Sequence, residues 1–299
     1  MLFADTPSKR RIGILLASLT TVLFSLLDTC GKWLSTHLPL TEIVWFRFAF
    51  ASLLVLGVVI TTGPVKGFWR EDFKTQLLRA TMMCAMTFLN FAGLKYLQLA
   101  QANAIVFSTP ILIAIISTFV FKEALSIAKW LAIAAGFVGV LIILDPFGQE
   151  FHPAMFYIVG HATVYALFNL LTRRMAKTSS PECTIIYSTI LPAIALLPVV
   201  IPVWVTPTDV MDYAILFGAA LFGVSGHYLL AIAYRYAKPT TISPFFYQQI
   251  IYMIFLGWLV FQQSPSKHVL EGSVIVVVSG LYLWFKENQK DSNIYVNNT

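Results

Sequence analysis

The sequence predicts an all-α integral membrane protein with ten transmembrane helices, arranged as two inverted five-helix repeats. Three observations carry this expectation. The 299 residues are 58% hydrophobic and only 11% charged, whereas soluble domains average about 45–50% apolar and about 25% charged. Apolar runs follow one another along the chain with short gaps. A hairpin-like stretch at 231–263 echoes one found 140 positions earlier, at 91–123. A soluble chain of this composition would lack the polar side chains to cover its surface.

A span needs about 20 mostly apolar residues. The first run, about 12–34, follows Lys9-Arg10-Arg11 and so mimics a secretory signal. It is too long for one, carries Asp28 and Lys32, and lacks a small-residue cleavage site, so it reads as a retained span. Further spans are expected at about 42–62, 76–97, 99–121, 127–144, 153–172, 183–205, 211–234, 240–261 and 268–285. The longest internal gap, 63–75, is rich in charge, and 287–299 reads as a disordered cytoplasmic tail.

Basic residues test the count. With the N-terminus cytoplasmic, sixteen of the twenty Lys and Arg fall on the inner side, Arg79 among them. Lys32, Lys95 and Lys267 fall outside, and Arg47 lies within the second span. This bias predicts a multi-pass protein of the cell's inner membrane with both termini in the cytoplasm. It also accounts for the net charge of +6 without nucleic acid.

The echo acquires a direction from the count. Lys95-Tyr96 matches Arg235-Tyr236, and Val120-Phe121-Lys122-Glu123 matches Val260-Phe261-Gln262-Gln263. At an offset of 141, Asp28 aligns with Asn169 and Lys32 with Arg173. Five spans separate the copies, and an odd number inverts the second. The halves run over 12–146 and 151–286. Inverted repeats of this kind mark secondary transporters, with the site near mid-membrane between the halves.

Polar residues inside a bilayer face a cavity or a partner. Thr21, Ser25, Asp28 and Lys32 form one helical stripe in the first span. Asp28 and Lys32 are four apart, so they form either a neutralised pair between helices or part of a site. Arg47, five residues after Glu42, is either a structural ion pair with Asp28 or Glu42, or a substrate contact. His161, Tyr165 and Asn169 share a face of the sixth span. Asn90, Asn103, His227, Tyr247, Gln248, Gln249 and the prolines at 110 and 244 complete the polar inventory; each reads as a cavity lining or as a bond between helices.

Spans 5 and 10 are nearly free of ionisable groups. They carry small residues at Ala132 and Gly136 and at Gly272, Ser279 and Gly280, so they read as packing helices and a possible homodimer face. Cys30, Cys84 and Cys183 have no metal or redox spacing. No H-E-x-x-H, G-x-S-x-G or phosphate-loop pattern occurs. Neither enzyme chemistry, a cofactor, a metal nor ATP drive is expected.

Three segments carry a family resemblance: EIVWFRFAFAS, GLKYLQLAQANAIVFSTPILIAIISTFVFKEALS and AYRYAKPTTISPFFYQQ. With the two-half layout, they resemble the drug/metabolite transporter superfamily, EamA type, over essentially all of 12–286. The chain departs from that pattern at Lys238, where small residues are usual, and at Gln262-Gln263, where an acid is common. The resemblance implies a carrier of a small organic solute with a central cavity. SLLDTCGKWLSTHL with HYLLAIAYRYA looks most similar to uptake carriers for riboflavin and S-adenosylmethionine. The candidate substrate-binding residues are then Asp28, Arg47, Asn90, Phe107, His161, Tyr165, Asn169, His227, Tyr247 and Gln248. Two rivals stand beside uptake: an exporter of amino acids or amphiphiles, and a membrane scaffold with no transport.

Overall fold

A computed structural model describes residues 7–63, 72–109, 111–113, 115–116, 127–145, 148, 151–175, 178–237 and 242–296. They form ten α-helices. These are α1 (Pro7–Leu34), α2 (Leu40–Thr62), α3 (Phe73–Leu94), α4 (Leu99–Val106), α5 (Ile127–Leu144), α6 (Met155–Met175), α7 (Pro181–Val200), α8 (Val210–Tyr236), α9 (Gln249–Phe261) and α10 (Lys267–Val296). No strand occurs among the described residues. Six helices (α1, α2, α3, α6, α7 and α8) are long and apolar enough to cross a membrane by length and composition.

Local chemistry sets several boundaries. Asp72, Ser180 and Asp209 cap α3, α7 and α8, each side chain accepting a backbone N–H of the first turn. Pro181 follows Ser180 at the first helical position, where its missing N–H costs nothing. Pro244 lies in the first turn of a short 3-10 helix, Ser243–Gln248, which hands over to α9 at Gln249. Pro110, its counterpart in the fourth span, lies outside the described residues. At the other end of the chain the structure differs from the expected tail. Over 287–296 it continues α10 as helix, since KENQKDSNIYV offers neither Gly nor Pro to stop it.

The helix pairings show the inverted repeat. Exchanging the halves maps α1 onto α6, α2 onto α7, α3 onto α8, α4 onto α9 and α5 onto α10. The pair α1–α8 maps onto α3–α6, and both pack extensively. Each of α2, α4 and α5 packs against its own counterpart, α7, α9 or α10. A pseudo-two-fold therefore relates the halves. Because ten crossings are even in number, the start of α1 and the end of α10 lie at one end of the bundle, here called the terminal face.

Polarity is arranged as a bilayer requires. Leu53, Ile60, Phe137, Phe156, Ile194, Phe255, Val274 and Val278 are exposed on outer faces. Ser25, Glu42, Arg47, Arg79, Asn103 and His227 are buried.

Helices α5 and α10 approach closely at two glycines. A Cβ on Gly272 would lie 2.6 Å from Gly139 O, and one on Gly139 would lie 3.0 Å from Gly272 O. A Cβ on Gly136 would meet Ile111, and one on Gly280 would meet Tyr247. These small residues serve packing within the chain, so a homodimer through α5 and α10 would have to use their outward faces. Gly272→Val forces the two helices apart. It should destabilise the protein by about 1–3 kcal/mol, seen as a lower melting temperature of the detergent-purified variant.

Candidate functional site

A central cavity lies among α1, α2, α3, α4, α6, α8 and α9. It is lined by Phe24, Asp28, Arg47, Thr87, Asn90, Asn103, His161, Tyr165, His227 and Gln249, with apolar neighbours such as Leu27, Met86 and Phe91. Six of the ten sequence-derived candidates meet there: Asp28, Arg47, Asn90, His161, Tyr165 and His227. The other four do not line it.

The polar side chains are held individually. Asn90 donates from Nδ2 to Asp28 Oδ1 at 2.6 Å, joining α1 to α3. Arg47 donates to Thr87 Oγ1 at 2.9 Å and lies over the Phe48 ring at 4.8 Å. His161 donates from Nδ1 to Met86 O at 2.7 Å, which leaves Nε2 for the cavity. Its ring stacks on Tyr165, with centroids 5.7 Å apart and planes 18° from parallel, and Tyr165 continues onto Phe168 at 6.5 Å and 21°. Phe24 and Phe168 hold the His227 ring at 4.7 Å and 5.7 Å.

Two expected ion pairs give way to other bonds. Lys32 does not pair with Asp28 one turn below it. Its ammonium donates to Leu94 O at 2.9 Å and Leu97 O at 2.5 Å, and lies 5.4 Å from the Phe261 centroid. The last carbonyls of a helix lack intrahelical donors and carry the negative end of its dipole, so α3 attracts the cation. Nor does Arg47 reach Glu42. Five residues on a helix point well apart, and Glu42 instead accepts the Val205 N–H at 3.0 Å.

Four candidates sit elsewhere. Asn169 donates to Tyr165 O at 2.8 Å and accepts from the Tyr234 hydroxyl at 2.8 Å, joining α6 to α8 below the cavity. This is the second half's version of the Asp28–Asn90 bond, since each links the first and third helices of its repeat. Phe107 and Tyr247 meet edge-to-face at 5.0 Å, and Tyr247 packs against Gly280. Gln248 is displaced by its neighbour Gln249. A 3-10 turn advances about 120° per residue against about 100° in an α-helix, so the handover at 248–249 sets which glutamine faces inward.

Sequence reasoning placed Arg79 in the inner charge ring, but it is buried on α3. Its guanidinium donates to Thr172 Oγ1 at 3.2 Å, to Thr184 O at 3.5 Å and to Ser188 Oγ, and it lies 4.4 Å from the Phe168 centroid. It thus ties the first half to α6 and α7 at the terminal face. The available signal was the stripe Gln76, Arg79, Met83, Met86 and Asn90, which follows one buried face of α3. Thr87 and Phe24 were also missed; they lie within one turn of Asn90 and Asp28.

Contacts flank the cavity at both ends: Lys32 meets Phe261 towards the opposite face, and Asn169, Tyr234 and Arg79 are bonded towards the terminal face. The cavity's free volume is about 70 Å³, well short of the roughly 300–1,000 Å³ of sites for drug-sized ligands. An organic solute enters only if the helices separate. Gly223→Ala would put a Cβ 3.0 Å from Arg47 Nε. This variant should transport several-fold more slowly while its folded yield stays near wild type, as read by vesicle uptake beside size-exclusion profiles.

Known proteins match this architecture along nearly the whole chain. The EamA-like transporter family matches twice, over residues 11–145 and 152–285. An S-adenosylmethionine uptake transporter of Rickettsia prowazekii is 26% identical over 284 residues, covering 94% of this chain and 95% of that protein. A riboflavin transporter of Vibrio cholerae is 26% identical over 277 residues, covering 91% and 93%. A pseudopaline exporter of Pseudomonas aeruginosa is 23% identical over 273 residues, covering 91% and 95%. One solved crystal structure superposes with a TM-score of 0.62 at 15% identity, covering 90% of this chain and 95% of that one, and shares the fold. With both halves matched and the paired five-helix repeats in place, this chain belongs to the EamA-like transporter family.

Proposed function

We propose that this protein takes up a flat, ring-bearing metabolite, of the kind that S-adenosylmethionine and riboflavin represent, across the cytoplasmic membrane by alternating access. The observation that carries the reading is the aromatic shelf on the cavity wall, formed by His161 and Tyr165, which stack at 18°, and backed by the buried Phe168. Such a shelf accepts a planar ring on its face. The names of the Rickettsia and Vibrio relatives support the same class of solute. No catalysis is assigned to the chain. The excess of Lys and Arg in alternate loops supports a cytoplasmic position for both termini.

Mechanically, the extensive helix pairings all join one half to the other, so opening must part helices across those contacts. The Arg79 bonds cross between the halves at the terminal face. Breaking those while the Lys32 end stays closed opens the cavity to the cytoplasm, and the converse opens it outward.

Reconstituted vesicles test the reading. Labelled S-adenosylmethionine or riboflavin should accumulate by counterflow against the same unlabelled solute. Absence of counterflow for both, with cells gaining resistance to an amino-acid analogue, would favour export instead. No flux of any solute would favour a scaffold. Tyr165→Ala removes the centre of the shelf and should weaken solute binding by about 1–3 kcal/mol, the usual worth of a base stacked on an aromatic side chain, as measured by the shift in half-saturating concentration.

A further inference from the structure

Three buried polar atoms without a hydrogen-bond partner belong to side chains that line this one cavity: Arg47 Nε, His227 Nδ1 and Asn103 Oδ1. Their residues are only 3%, 5% and 4% exposed. Buried polar atoms are nearly always satisfied, so a cluster of exceptions on residues that line one cavity marks a place where a ligand can complete the bonding. The atoms are of complementary kinds. Arg47 is a permanent cation that can only donate, and the His227 ring can donate beside it. Asn103 Oδ1 can only accept.

The surroundings keep the two kinds apart. Arg47 on α2 is held by Thr87 and Phe48, which leaves Nε unused. Gly223, one turn before His227 on α8, leaves the guanidinium room; a Cβ there would stand 3.0 Å from Nε and 3.1 Å from the outer nitrogen Nη2. The His227 ring is fixed by Phe24 and Phe168 through its faces and edges, not its nitrogens. On α1, Asp28 has one oxygen bonded to Asn90. No bond joins Asp28 to Arg47: each is held by its own neutral partner. A single cavity thus presents a separated cation and anion beside an aromatic shelf.

We propose that Arg47 and His227 form a carboxylate subsite, with Asp28 and Asn103 receiving a cationic group, so that the preferred solute carries a zwitterionic amino-acid head next to its flat ring. The proposal rests on the ring-bearing reading of the same cavity and narrows it. A flat ring without a carboxylate leaves Arg47 buried and uncompensated, and is disfavoured for that reason.

A matched pair of solutes tests it: S-adenosylmethionine and its decarboxylated analogue, which keeps the adenine, sulfonium and ammonium groups and lacks only the carboxylate. Riboflavin serves as a ring without an amino-acid head. Binding is measured by titration calorimetry on the full chain in lipid nanodiscs. S-adenosylmethionine should bind about ten- to hundredfold tighter than the analogue, the worth of a hydrogen bond to a charged group. Arg47→Gln should abolish that preference, weakening S-adenosylmethionine and relieving the penalty on the analogue. His227→Phe, which keeps the ring contacts, should narrow it. Equal binding of the pair by the wild type, or a preference that survives Arg47→Gln, would overturn the subsite and leave the ring-bearing reading standing. So would binding of riboflavin alone. Binding of none of the three would overturn both. If Arg47→Gln does not fold, the wild-type comparison still decides whether the carboxylate is read, and His227→Phe decides where.

Discussion

The structure depends on one constraint: within a bilayer, a buried polar group has only the chain itself to bond with. This protein meets the constraint in two ways, with different consequences. Some bonds stay inside a repeat. Asp28–Asn90 joins the first and third helices of one half, and Asn169–Tyr234 joins the corresponding helices of the other. Others cross between the halves. Arg79 reaches Thr172, Thr184 and Ser188 at the terminal face, His37 meets Asp212 at 2.7 Å near the opposite face, and His161 bonds Met86 O between them. The second kind accompanies the extensive helix pairings, which all join one half to the other.

The bonds between halves go mostly to neutral groups. Arg79 crosses to hydroxyls and a carbonyl, whereas Lys32, at the opposite end, bonds two carbonyls of its own half and crosses only to the Phe261 ring. Neither cation is held by a carboxylate, and the carboxylates between the halves near the opposite face, Asp212 and Glu42, bond His37 and the Val205 N–H instead. Breaking a buried ion pair by removing one partner costs about 3–5 kcal/mol, whereas a net hydrogen bond to a charged group is worth about 1.5–3 kcal/mol. A cation that bonds neutral groups when closed and water when open is suited to a structure that must part at either end.

Much of the fold was legible in the sequence. Bilayer-length apolar runs, the alternation of basic loops and the echo between halves each follow from a rule that acts over many residues. The site was legible where polar residues repeat on one helical face, as with His161 and Tyr165 or Asn90 and its neighbours. It was not legible where one local event decides direction. The 3-10 turn before α9 brings Gln249, not Gln248, to the cavity, and the α4 and α9 aromatics Phe107 and Tyr247 turn to each other. Arg79 was misplaced because a charge near the end of an apolar run reads as a loop residue; only its spacing from Gln76 and Met83 marks the buried face. Partner choice was not legible either. Lys32 bonds the last carbonyl of α3, at the negative end of the helix, and a carbonyl of the turn that follows, rather than a carboxylate one turn away.

The central claim is that helices part around the cavity at one face while they close at the other. Paired spin labels report this directly, one pair at Tyr96 and Val210 on the opposite face and one at Leu77 and Arg174 on the terminal face, all at exposed positions. Inter-label distances in nanodiscs, measured with and without a transported solute, should change in opposite senses on the two faces. Distances that stay fixed on both faces, or that lengthen together, would contradict the account.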